Sequence, residues 1–168
     1  MYDTEKISGD SAKFNNRDGL TVTAALSIAI DLSANLSSGI VWNVQSLPAF
    51  NLSAEGNNGD GDTFYYINIS SSSNVDVYVK ADSDLVSDGG NVIGVGNETY
   101  SFNLTDSTVP SIVKTPLSLN FLPIITNLPA GFNVVYLKFF LNVDGGQAVG
   151  NYNNTLSFIA VESGQPPP

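Results

Sequence analysis

The chain has 168 residues, with 6 Lys and Arg against 16 Asp and Glu and a net charge of −10. It has no Cys and no His, which excludes disulfides, thiolate chemistry, zinc–sulfur sites and Ser–His–Asp or Cys–His catalysis. The acidic balance argues against nucleic acid and anionic membranes as partners, and the length suffices for one domain with a proper core.

In chain order, residues 1–16 read as an extended arm, with Ile7, Ala12 and Phe14 spaced by polar residues. The arm has no evident partner in its own chain. It leads into a long strand over 20–32, where Leu20, Val22, Ala24, Leu26, Ile28, Ile30 and Leu32 fall on every second position and so share one face. Residues 33–39 are turn-like. A second strand is expected over 40–46, carrying the only tryptophan, Trp42, and ended by Pro48.

Residues 51–62 read as a Gly-rich loop. Residues 63–71 form a strand rich in aromatic and β-branched side chains. Residues 74–81 alternate again, and their closeness to the preceding strand predicts a hairpin. A loop over 82–90 contains one helical turn at 83–86. Short strands follow over 91–95 and over 98–104, the latter with Tyr100, Phe102 and Leu104 inward.

Four prolines between 106 and 129 exclude one continuous central strand there, and Leu117, Leu119 and Phe121 alternate as one short strand. Residues 131–143 anchor the core through Val135, Leu137, Phe139, Leu141 and Val143, with the opposite, also apolar, face covered as well. The last strand spans 153–162, and residues 164–168 form a Pro-rich tail that cannot join a sheet. About nine strands and no convincing helix describe an all-β sandwich of jelly-roll or immunoglobulin-like shape. The division expected is an arm over 1–16, a sandwich over 17–163 and a tail over 164–168.

Two features bear on ligands. Asn58, Asp60 and Asp62 sit at the i, i+2, i+4 spacing of calcium loops, among glycines that let a chain wrap a hard cation. Thr63 and Ile69 stand where an EF-hand needs Gly and Glu, so the loop is not an EF-hand. It is either a calcium loop of another kind or a solvated polar turn. Asp82, Asp84 and Asp88 are a weaker second candidate. No cofactor is otherwise required.

Asn-x-Ser/Thr sequons occur at Asn35, Asn51, Asn68, Asn97, Asn103 and Asn153, above the roughly three or four expected by chance. No apolar run reaches the roughly 18 residues of a membrane helix, and no signal peptide precedes the arm. The chain is therefore either cytosolic or a mature chain whose signal has been removed and a start methionine added, and the sequons favour the second, a secreted chain. Trp42, Tyr65, Tyr66, Tyr78, Tyr100 and Tyr136 are either a sugar-binding platform or half-buried strand aromatics. No spacing predicts converging catalytic acids, and an enzyme is not expected.

An arm without an intrachain partner is either a frayed terminus or a strand donated to another copy, which builds a filament when the head-to-tail contact does not close. Asp10-Ser11-Ala12-Lys13-Phe14 followed by Gly19-Leu20-Thr21-Val22 resembles the D-A-x-F…G-x-L start of TasA/camelysin-type biofilm fibre proteins. Leu36-Ser37-Ser38-Gly39-Ile40, Leu47-Pro48, Ser73-Asn74-Val75-Asp76-Val77 and Gly96-Asn97-Glu98-Thr99-Tyr100 are similar to archaeal members of that group, the bundling-pilus subunits.

The resemblance implies a secreted jelly-roll subunit that polymerises by donor-strand complementation, in biofilm or cell–cell contacts. Its donor strand would carry Glu5, Ile7, Ala12 and Phe14, and its partners would be other copies of itself and laterally bundled filaments. The chain departs from the bacterial fibre proteins in its low Lys content and shorter loops. The alternative expectation is a secreted carbohydrate-binding, S-layer or adhesion module stabilised by calcium.

Overall fold

The computed structural model describes residues 26–58, 64–105 and 113–168. The arm with Glu5, Ile7, Ala12 and Phe14, the first part of the predicted strand over 20–32, and Asp60 and Asp62 lie outside the described residues, as does the side chain of Asn58.

The fold is an all-β sandwich. One layer is a six-stranded sheet in the order β1 (Ile28–Leu32), β3 (Tyr66–Ser71), β10 (Gly131–Val143), β7 (Glu98–Asn103), β8 (Thr115–Pro116), with β2 (Ala49–Ser53) also on β10. The facing layer consists of two three-stranded sheets. One has the order β12 (Leu156–Glu162), β4 (Val75–Ala81), β9 (Leu122–Leu128); the other has β11 (Tyr152–Asn153), β5 (Leu85–Ser87), β6 (Val92–Ile93). Leu156 pairs with Ala81 and Asn153 with Val86, so the smaller sheet continues the line of the first.

β10 is the spine. Its odd residues Val135, Leu137, Phe139, Leu141 and Val143 are all buried, as their alternation requires. The first three join Ile67, Ile69, Val75, Val77, Val79 and Tyr100 in the main core. The last two close a second cluster with Leu85 and Ile93. Tyr65 meets Phe139 edge-on at 5.6 Å, the arrangement that aromatic quadrupoles favour.

Along one side of β10, β3 pairs up to Tyr136 and β2 starts at Phe140. The buried side chain of Asn57 fills the break. Its amide donates to the Phe139 carbonyl (2.7 Å) and to Ser53 Oγ (2.8 Å), and its Oδ1 accepts from the Phe139 N–H (2.9 Å). One side chain thus stands in for a residue of strand. The turn that presents it needs glycine: a Cβ on Gly56 would collide with the Tyr65 ring and the Asn35 amide.

The predicted hairpin over 63–81 is corrected. β3 and β4 do not pair. The link between them crosses from one layer to the other, so Ile67 and Ile69 face Val75, Val77 and Val79 through the core. β9 to β10 crosses in the same way. Asn74 ties the two crossings, donating from Nδ2 to Asn127 Oδ1 (2.9 Å) and accepting at Oδ1 from the Ala130 N–H (3.2 Å). Asp76, buried beside them, accepts from the Asn127 N–H (2.7 Å), Ser163 Oγ (2.8 Å) and the Gly164 N–H (3.0 Å).

Other expectations also change. Residues 33–39 hold a short helix, α1 (Ala34–Ser38), capped by Ser33, whose Oγ accepts from the Leu36 N–H. The expected loop over 51–62 begins inside β2. The expected helical turn at 83–86 is strand β5, because its residues pair with β6 and β11.

The short strand expected on Leu117, Leu119 and Phe121 is displaced to β9. Proline is tolerated there because β9 is an edge, and Pro123 is near its start. Only Tyr100 of the inward trio on β7 is buried; Phe102 and Leu104 face out at the rim. On the second face of β10, Phe132 is 69 % exposed, whereas Val134, Tyr136, Lys138 and Phe140 are half-buried. Residues 40–46 belong to no strand.

Candidate functional site

Three sheets leave several edges, and one of them opens on a groove. β12 pairs with β4 along one side, in unbroken register from Leu156 to Glu162. Among the described residues its other side has no strand partner. Every residue from Leu156 to Val161 is half-buried, which places neither face of the strand fully in the core nor fully in water.

The direction of its backbone groups follows from the ends. The Thr155 carbonyl accepts from the Asp82 N–H, and the Ser163 N–H donates to the Asn74 carbonyl. Backbone groups of alternate residues point to opposite sides of a strand. Odd residues therefore point at β4, and Leu156, Phe158, Ala160 and Glu162 present theirs to the free edge.

Across from that edge runs the extended stretch over 39–44. Among the described residues, its backbone ties are the cap bond from the Gly39 N–H to the Leu36 carbonyl (3.2 Å) and, beyond Gly39, the bond from the Glu55 N–H to the Val41 carbonyl (2.9 Å). Between the two lies a groove of about 860 Å³. Ile40, Trp42 and Val44 line one wall, Leu156 and Phe158 the other, and Leu141 lies between them. Trp42 touches both core clusters, and its buried indole N–H has no hydrogen-bond partner. A groove lined by these apolar side chains and by polar and acidic ones, and flanked by open backbone, is suited to receiving an extended peptide.

The groove also contains carboxylates. Glu98 lines it and is 1 % exposed. Burial pushes its carboxyl up to about 7; the bond from Asn154 Nδ2 (2.5 Å) opposes this, and the charges of Asp84 and Asp82 add to it. Asp84 accepts from the Val95 N–H (2.7 Å). Asp82 accepts from the Thr155 N–H (2.8 Å), which holds its carboxyl below the usual value. The link from β11 to β12 is thus tied to the link from β4 to β5 through these acids.

Asp82, Asp84 and Asp88 do not form a ligand set: among the described residues no group of three carboxylates has metal-holding geometry. Sequence reasoning missed Glu98 as a site residue. Its place at an even-spaced position before Tyr100 in a strand was the available signal.

The sequons are placed unequally. Asn51 and Asn153 are exposed, and Asn35, Asn68, Asn97 and Asn103 are half-buried. Asn35 lies against Gly56, and Asn153 lines the groove. Asn51 Oδ1 accepts from Lys114, whose ammonium also sits over the Phe140 ring. Of the six aromatics considered as a platform, Tyr65 and Tyr100 are core, and Trp42 is in the groove. Tyr66 and Tyr136 are neighbours on the outer face of the large sheet, 5.9 Å apart.

No protein-family model and no curated protein matches the chain. Among solved structures, a family 123 glycoside hydrolase from Clostridium perfringens, studied for glycolipid glycan hydrolysis, is similar at a TM-score of 0.38 and 15 % identity. The match covers 84 % of this chain and 26 % of that one.

Proposed function

We propose that this protein is the structural subunit of an extracellular fibre, built by seating the N-terminal arm of one copy in the groove of the next. The observation that carries the reading is the pair of open backbones flanking an apolar groove: the free edge of β12 and the stretch over 39–44. The latter has the composition of a strand and has no strand partner among the described residues. A donated strand would give it one.

Charge supports the same reading. The arm over 1–16 holds two of the six bases and three acids, a charge of −1, so the rest of the chain carries −9 of the net −10. The segment that must enter a groove lined by carboxylates is close to neutral. Ile7, Ala12 and Phe14 are the side chains assigned to the apolar walls, with Glu5 at the entrance. A glycan on Asn153 would stand in the arm's path, so Asn51 is the position best suited to carry one.

A second reading, a glycan-binding module, is favoured by one observation, the Tyr66–Tyr136 pair on the open sheet face, with Asn68 and Asn103 in register beside it.

Negative-stain microscopy of the full chain beside a chain lacking residues 1–14 tests the first reading, with and without calcium. Filaments from the full chain alone are the expected result, and calcium dependence would bring Asn58, Asp60 and Asp62 into the contact. Monomers from both, together with glycan binding lost in Tyr136→Ala, would replace it with the second reading.

A further inference from the structure

The carboxyl of Glu98 is the buried titratable group that the fibre reading leaves unused. It is held at the start of β7, in register with Leu141 of β10. Its own carbonyl accepts from the Leu117 N–H (2.8 Å), which fixes the backbone on the other side. From β10 it therefore faces an apolar residue, and from the stretch after β8 a backbone amide. From the link between β4 and β5 it meets the charges of Asp82 and Asp84, and from the link between β11 and β12 the amide of Asn154. Asp88 lines the same groove.

The described bases are elsewhere: Lys80 lies over Phe121, Lys114 over Phe140, and Lys138 alternates onto the outer face of β10. A carboxylate here has a single amide donor and two like charges for company. Its own surface is 1 % exposed, and because it lines the groove, the water filling the groove is its nearest solvent.

Resting on the fibre reading, we propose that Glu98 makes assembly proton-linked: a strand seated in the groove is accepted when this carboxyl is neutral and resisted when it is charged. The physical reason is desolvation. A seated strand replaces the groove water nearest the anion with low-dielectric protein, and the neutral acid loses far less by that replacement. Each copy that accepts a strand above neutral pH therefore takes one proton from solvent.

The sign follows from linkage. The group stands near 7 in the open groove and higher in the filled one. Affinity for the arm is thus full below that value and falls as pH rises through it, by up to about tenfold per pH unit for one proton. Asn154 connects this change to the groove wall, since it bonds Glu98 and also donates to the Ser83 carbonyl (3.2 Å).

The test is the critical concentration for polymer of the full chain, measured by sedimentation from about pH 5.5 to about pH 8.5. The expected result is a flat floor at the acid end and a rise of tenfold or more towards the alkaline end. Glu98→Gln mimics the neutral acid and keeps an oxygen for Asn154, so it should assemble at the acid-end concentration throughout.

Asp84→Asn removes a neighbouring charge while keeping an acceptor for Val95, so it should move the rise to lower pH. That variant keeps the test intact even where Glu98→Gln folds poorly. A wild-type concentration independent of pH, or Glu98→Gln as pH-dependent as wild type, overturns the proposal. So does the opposite slope with Glu98→Gln weakened, which would mean that a cation of the arm pairs with the carboxylate. Absence of polymer at every pH would remove the fibre reading and this linkage together, whereas polymer at every pH with no slope removes only the linkage.

Discussion

At the scale of single residues, three buried polar side chains hold positions where no strand does the bonding. Asn57 satisfies both backbone groups of Phe139. The Phe139 carbonyl also accepts from the Ala54 N–H (3.0 Å), so truncating Asn57 leaves the buried Phe139 N–H as the unpaired group, a loss of about 1–3 kcal/mol. Asn57→Ala should therefore lower stability by about 1–3 kcal/mol in urea melts.

Asp76 behaves differently. Burial on its own would raise its carboxyl, but the bonds from Asn127, Gly164 and Ser163 outweigh that and hold it below the ordinary value. A depressed folded value means stabilisation that is present above about pH 4 and lost as pH falls through the folded value. Asp76→Asn should melt lower than wild type at neutral pH, and the gap should close in acid. Glu98 has the opposite sign. Its raised value lowers stability as pH climbs from about 4.5 to about 7, so Glu98→Gln should melt higher than wild type above neutrality.

At the scale of elements, β12 gives the sharpest separation between folding and assembly. The N–H of Ala160 points to the free edge and that of Ile159 to β4. Ala160→Pro should leave the melting of the monomer within about 1 kcal/mol of wild type, since an edge strand tolerates proline where its N–H is unpaired. It should also abolish sedimenting polymer. Ile159→Pro breaks the ladder with β4 and should unfold the chain.

Elements also show what alternation can and cannot tell. β10 was legible end to end because thirteen residues of strict alternation have one solution. The β3–β4 crossing was not: a short Ser-rich link suits a hairpin and a crossing equally, and alternation does not name the sheet to which a face belongs. β9 was hidden by Pro123, which argues against a strand until the strand is known to be an edge. The stretch over 40–46 was read as a strand from its composition, and among the described residues it lacks a strand partner rather than a propensity. Glu98 escaped notice because a lone acid in a strand looks like a solvated residue until its neighbours in space are known.

At the scale of the whole molecule, the charge of −10 would act on every contact between copies in the proposed fibre. Neighbouring subunits would repel over distances of the order of the Debye length, about 10 Å at 0.1 M salt. Raising monovalent salt from about 0.01 M to about 0.3 M should therefore lower the critical concentration for polymer, and light scattering across that series measures it. Calcium at matched ionic strength separates screening from binding. An additional fall with calcium, removed by Asp60→Asn with Asp62→Asn, would assign the acidic loop to the junction.

The position of Trp42 has a practical consequence. It is the chain's single tryptophan, it forms part of the groove wall, and its indole N–H has no partner. Excitation at the red edge of indole absorption, beyond the seven tyrosines, therefore reports one indole beside the groove. In the fibre proposed above, a strand filling the groove would dry the exposed part of that ring and shift its emission without any added dye, so that subunit addition could be followed in real time in unlabelled protein.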